Sequence, residues 1–103
     1  IPKGVEVEKV ISDNPELISK ILAKRGCNKV LWECGPRLAT AAIQSNCIQE
    51  LIAFIAPKIL GGENSMNPLS DFEFREMHEI INLSDSQFSL IGKDICVKSS
   101  FKN

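Results

Sequence analysis

The sequence lacks any hydrophobic run long enough to cross a bilayer, because its longest apolar stretch, residues 51–57, has the length of a β-strand. No stretch has the pattern of a secretory signal peptide. The net charge of −1 gives no electrostatic reason to expect a nucleic acid or a membrane surface as partner. Internal repeats and low-complexity segments are also missing. What remains is an ordinary globular composition, with 44% hydrophobic and 24% charged residues.

Metal-binding and phosphate-binding motifs are missing as well. The sequence has four cysteines, at Cys27, Cys34, Cys47 and Cys96. They form no C-x-x-C pair and His78 is the single histidine, so we expect no metal site and reduced, mostly packed thiols in a cytoplasmic protein. Residues 61–68 are glycine-rich but have neither a P-loop ending nor a G-x-G-x-x-G pattern. We interpret them as a surface loop, with a loop that covers a ligand as the alternative.

Strand and helix patterns alternate in the first half of the chain. Residues 5–10 alternate apolar and polar, which predicts a half-buried strand. Residues 30–33 and 50–56 are apolar runs, which are typical of strands buried on both faces. Helices are predicted between these strands, one ending before Gly26 and one over residues 36–45. The order strand–helix–strand–helix–strand predicts a parallel sheet with helices on its faces.

The first helix has clear start and stop signals. Its N-cap is either Asp13, with Glu16 three residues later, or Asn14, with Pro15 at the first helical position. Gly26 is placed as the residue that follows the C-terminus, where a left-handed backbone is common.

The tail of the chain predicts antiparallel structure. Residues 76–83 contain a strand-like run, and residues 87–91 and 95–98 flank a turn at Gly92, as in a hairpin. His78 lies among residues with high strand propensity and has no acidic or cysteine neighbours in a catalytic pattern. A structural or surface role is therefore expected for it.

The most informative stretch is residues 30–36, where a strand runs directly into a helix. At such a helix start several backbone N–H groups lack partners and the peptide dipoles sum to roughly half a positive charge. Gly35 lets a ligand approach the backbone, and Pro36 suits the first turn. An anion would bind well there, and Glu33 would contact the neutral, hydroxyl-bearing part of a ligand. A plain connection with Glu33 in solvent explains these residues equally simply.

Two longer segments resemble a known family. VLWECGPRLATAAIQ and QELIAFIAPKILGG are similar to the reductase domain of riboflavin biosynthesis, commonly the C-terminal half of a bifunctional pyrimidine deaminase/reductase. The matching motifs are Leu31-x-Glu33-x-Gly35-Pro36 and the run from Ala56 to Gly62. Helix and hairpin also fall where the family has them, so the resemblance covers nearly the whole chain.

The resemblance implies a dihydrofolate-reductase-like α/β fold, with a mixed, mainly parallel sheet and an antiparallel C-terminal hairpin. Residues 1–103 would then be a single partial domain of a longer polypeptide, without the N-terminal part of the domain. It implies a homodimer and NADPH-dependent reduction of the ribosyl side chain of a (di)aminopyrimidine 5′-phosphate to the ribityl form. The partial domain alone is expected to be incomplete as an enzyme.

Site residues carry over from the resemblance onto matching positions. Glu33 is the expected catalytic residue and contacts the substrate's ribose, as an anchor for its hydroxyls or as a proton carrier. The residues expected to meet NADPH are Gly35, Pro36, Arg37, Leu38, Ala39, Thr40 and Ala41. Cys34 departs from the small residue usual in the family and is interpreted as tolerated variation. The alternatives are a non-catalytic or dimerisation module of the same fold, and a reductase of a related pteridine or pyrimidine.

Overall fold

The computed structural model describes residues 3–62, 67–73 and 76–101. In chain order it contains α1 (Pro15–Lys24), α2 (Pro36–Gln44), β1 (Glu50–Ile55), a 3₁₀ helix (Met77–Glu79), β2 (Leu83–Ile91) and β3 (Asp94–Phe101). Neither described α-helix has the length and apolar character that a membrane crossing requires. The architecture is therefore an α/β arrangement of two helices and one small sheet.

Asn14, the second of the two predicted caps, begins α1. Its side-chain Oδ1 accepts hydrogen bonds from the backbone N–H groups of Glu16, at 3.0 Å, and Leu17, at 3.3 Å. Pro15 occupies the first helical position, where no N–H is needed. Because the Asn14 side chain accepts hydrogen bonds from two of the amides that lack helical partners, it caps the N-terminus of α1.

Both helices end in the same way. Gly26 follows α1 with φ 83°, and Asn46 follows α2 with φ 57°, so each lies in the left-handed region. In each case the N–H of the next residue closes the last turn, 3.1 Å from the carbonyl oxygen of Leu22 in α1 and 3.0 Å from that of Ala42 in α2. The predicted position of Gly26 is confirmed.

The sheet has three strands in the order β1-β3-β2, and both pairs are antiparallel. β2 and β3 form the predicted hairpin, with Gly92 at φ 61° in its turn. Central β3 places Val97 between Ala53 of β1 and Phe88 of β2 on one face. The strand predicted at residues 50–56 is confirmed as β1, but its predicted burial on both faces is wrong, since Ile52 is 50% and Phe54 60% exposed.

The parallel part of the predicted fold is not confirmed. Residues 5–10 and 30–33 lie in no strand, and β1 pairs antiparallel with β3 rather than parallel with either segment. A strand forms only beside a neighbour that takes up its backbone N–H and C=O groups, and an apolar pattern does not say which neighbour is available. In the described part of the chain these two segments have none.

The strand predicted at residues 76–83 is wrong over most of its length. A 3₁₀ helix spans Met77–Glu79, and β2 begins only at Leu83. The helix is closed by reciprocal bonds: the backbone N–H of Glu76 donates to Glu79 Oε2 at 2.8 Å, and the Glu76 side chain accepts from the N–H of Glu79. His78 is exposed, and its Nδ1 lies 3.1 Å from Glu76 Oε2.

The buried core is small. Ala42 is fully buried, while Phe88 and Leu90 on the sheet remain 71% and 78% exposed. The accessible surface is 9210 Å², against about 5,800 Å² for a compact 11.4 kDa protein. The radius of gyration is 16.0 Å, against about 13 Å for a compact chain of this length. Much apolar sheet surface is therefore left uncovered by the described residues.

Candidate functional site

The N-terminus of α2 is open. Its N-cap is Gly35, with φ −71° and ψ 172°, which supplies no capping side chain, and Pro36 supplies no N–H. Within the described residues, no backbone or side-chain acceptor meets the N–H groups of Arg37 and Leu38. A Cβ placed on Gly35 would have no atom of a described residue within 4 Å. The helix start therefore offers free amide donors next to empty space.

Charge at this helix end favours an anion. The first turn of α2 contains no acidic residue, whereas that of α1 contains Glu16 beside the Asn14 cap. Arg37 is exposed and makes no ion pair with any described residue. The partial positive charge of the helix end and this guanidinium together create a local positive potential.

Glu33 lies beside this helix end. It is exposed and has no ion pair in the part of the chain that the structure describes. Because two residues of chain span at most about 7 Å, its Cα lies within that distance of Gly35. A carboxylate accepts hydrogen bonds from hydroxyl or amino groups. The corner can therefore hold an anionic group and an adjoining hydroxyl-bearing group.

The predicted cofactor residues differ in their environment. Gly35 and Arg37 are exposed at the open end, whereas Thr40 lies one turn later and is only 6% exposed. The Thr40 Oγ1 atom accepts a hydrogen bond from the backbone N–H of Ser70 at 2.8 Å. Glu33 and the helix start are thus neighbours along the chain, and the Thr40 hydroxyl is occupied by the protein's own backbone.

Residues 67–73 were missed as part of this region. They border an open concavity of about 450 Å³, lined by Asn67, Leu69, Ser70, Asp71 and Phe72. The loop predicted at residues 61–68 lies partly outside the described residues, so its shape over a ligand is not tested. No periodicity or motif in residues 67–73 predicts their contact with α2. That contact is made by a backbone N–H, which every non-proline residue has.

The thiols are less packed than predicted. Cys27 and Cys34 are exposed, Cys47 and Cys96 are half-buried, and all four are free. Among the described residues, no group of three or more histidine, cysteine or acidic side chains could hold a metal ion. Cys34 precedes Gly35 at the rim of the candidate site, and no general base in the described structure lies in hydrogen-bond contact with it.

The fold and the site define an α/β domain with an uncapped helix N-terminus beside an exposed carboxylate. A family model described as "RibD C-terminal domain" matches residues 6–97. The chain belongs to the RibD C-terminal domain family.

Named relatives agree with this membership. The chain is 40% identical over 95 residues to a protein of Arabidopsis thaliana named "Riboflavin biosynthesis protein PYRR, chloroplastic", with 92% of this chain and 16% of that protein covered. It is 38% identical over 92 residues to "Riboflavin biosynthesis protein RibD" of Synechocystis sp., with 87% of this chain and 25% of that protein covered. The chain therefore spans between about a sixth and a quarter of the length of these relatives.

Solved structures show the same fold. Acinetobacter baumannii RibD in its form 2 superposes with a TM-score of 0.72 at 21% sequence identity, over 95% of this chain and 26% of that chain. Form 1 of the same protein gives a TM-score of 0.73 at 21% identity. The backbone described above, with its unpaired segments, is thus similar to part of a larger protein.

Proposed function

We propose that this chain is part of a reductase of riboflavin biosynthesis that uses NADPH to reduce the ribosyl side chain of a (di)aminopyrimidine ribosylamino 5′-phosphate to the ribityl form. The relatives named for riboflavin biosynthesis support the pathway. The observation that carries the proposal is the open N-terminus of α2 beside the exposed Glu33. Such a corner suits a phosphate group of one ligand beside the hydroxyl groups of the same or a second ligand.

Each part of the corner has a separate task in this proposal. NADPH, when bound, supplies the hydride, and the protein supplies binding and orientation. The free amides of Arg37 and Leu38 hold a phosphate group of the cofactor, and the helical wall from Gly35 to Ala41 lies along it. Glu33 anchors hydroxyl groups of the substrate's ribose. Proton transfer by a carboxyl group near neutral pH calls for a buried site, whereas Glu33 is exposed.

In this proposal residues 1–103 are part of a longer protein, called the parent protein below. Replacing Glu33 with glutamine in the full-length parent protein tests the role of Glu33. If Glu33 anchors ribose hydroxyls, E33Q raises the KM for the pyrimidine substrate about tenfold and leaves the pH dependence of the rate unchanged. A flattened pH–rate profile would instead assign proton transfer to Glu33. The matched control is E16Q, the same change on the first turn of α1, which leaves KM unchanged because the Asn14 cap holds that helix start without it.

A specific observation also favours a second candidate, a dimerisation module without catalytic function. The sheet carries exposed apolar side chains, including Phe54 at 60% and Phe88 at 71%. A surface of this kind is typical of an interface, and a homodimer would cover it. Titration of the parent protein with NADPH separates the candidates: a dissociation constant between about 1 µM and 1 mM supports the reductase, and no binding supports the module.

The parent polypeptide would also complete the fold. In this proposal residues 1–103 are one partial domain, and residues 5–10 and 30–33 become parallel strands beside segments that the parent supplies. We further propose a cytoplasmic location, with a plastid as the alternative because the Arabidopsis thaliana relative carries "chloroplastic" in its name. Microscopy of the tagged parent protein in its own cells decides between the two locations.

A further inference from the structure

We propose that Thr40 is a positioning residue, whose hydroxyl holds residues 67–73 against α2 so that they form a second wall of the nucleotide site at the start of that helix. This inference rests on the proposed function. It adds a part of the site that neither the sequence motifs nor the family membership assigns.

The contact itself is well defined. The backbone N–H of Ser70 donates to Thr40 Oγ1 at 2.8 Å, across thirty residues of chain. Thr40 is only 6% exposed, so water competes poorly for this bond. Residues 67–73 lie in no helix or strand. A segment without regular structure depends on such bonds for its position.

The held segment lies close to the open helix end. Thr40 is four residues after Pro36, which corresponds to about 6 Å along the helix axis. Helical side chains also tilt toward the N-terminus, which brings the Thr40 hydroxyl nearer to the free amides. Ser70, which borders the concavity, is therefore held beside α2 about one helical turn after the amides where a phosphate would bind.

The chemistry of the wall complements that of the helix end. Among described residues 67–73 the charged side chains are Asp71 and Glu73, and there is no cation. The Asp71 Oδ1 atom accepts the backbone N–H of Glu73 at 2.7 Å, and the carboxylate is exposed to solvent. An acidic wall repels phosphate and accepts hydrogen bonds from hydroxyl groups. It therefore suits a neutral ribose of NADPH whose phosphate lies at the amides of α2.

The test compares T40V, which removes the hydroxyl at nearly constant volume, with T40S, which keeps it, in the full-length parent protein. T40V is expected to raise the KM for NADPH about tenfold with little change in kcat, and T40S to restore it to within about twofold of the parent value. Amide exchange of the peptide that contains Ser70 is expected to accelerate about tenfold in T40V and to recover in T40S.

Each outcome decides the inference. A purely structural hydroxyl would reduce the amount of active protein and its melting temperature while KM stays constant, and this would overturn the positioning role. An equal rise in KM in T40V and T40S, or a rise for the pyrimidine substrate alone, would also overturn it. If the unmodified parent protein does not bind NADPH, the proposed function is wrong. The amide exchange rate of Ser70 still shows in that case whether Thr40 holds residues 67–73 against α2.

Discussion

Replacing Gly35 with serine is expected to weaken ligand binding while leaving the stability of the fold nearly unchanged. The backbone of Gly35 has φ −71° and ψ 172°, a conformation open to any residue. A Cβ there meets no atom of the described part of the chain within 4 Å. Serine is a better N-cap than glycine, so the free energy of unfolding should change by less than about 0.5 kcal/mol or rise slightly. The new side chain, however, would cap the amides and occupy the space that a phosphate needs.

The expected loss of binding follows from the bonds that are blocked. A hydrogen bond to a charged group contributes about 1.5–3 kcal/mol, so the loss of one amide–phosphate bond in G35S weakens NADPH binding about tenfold to hundredfold. The assays are calorimetric titration with NADPH and urea unfolding, both on the parent protein. The matched control is N14S, which exchanges one good cap for another at α1 and should alter neither quantity. Unchanged affinity in G35S would refute the phosphate site.

The remaining predictions concern stability and are measured by urea unfolding. N14A removes the acceptor of two amides at the start of α1 and is expected to cost about 1 kcal/mol, with N14S as control. Ser86 Oγ and Ser99 Oγ lie 2.7 Å apart, and Ser99 is only 3% exposed. S86A should therefore cost about 1–3 kcal/mol, because it leaves a buried hydroxyl unpaired. S99A should cost less, since water can reach exposed Ser86; equal losses would contradict this reasoning.

Local signals in the sequence predict the local structure well. The Asn14-Pro15 start, the Gly26 stop and the Gly92 turn are each set by backbone chemistry within a few residues, and all three are found. The open corner at Gly35 belongs to the same class, because a helix that begins with Gly-Pro carries no capping side chain.

Features that depend on distant partners were not predictable in the same way. The apolar run at residues 30–33 indicates burial, yet no neighbouring strand exists for it in the described residues. The strand propensity of residues 76–83 was overridden by the reciprocal bonds of Glu76 and Glu79. The Ser70–Thr40 hydrogen bond could not be predicted from the sequence, because thirty residues separate the backbone N–H from its acceptor.

Amide hydrogen exchange of the parent protein with and without NADPH tests the central claim most directly. If the start of α2 holds the cofactor, peptides that span residues 33–41 exchange more slowly when NADPH is present, while peptides from the hairpin of β2 and β3 keep their rates. Binding of NADPH that leaves residues 33–41 unprotected would contradict the claim.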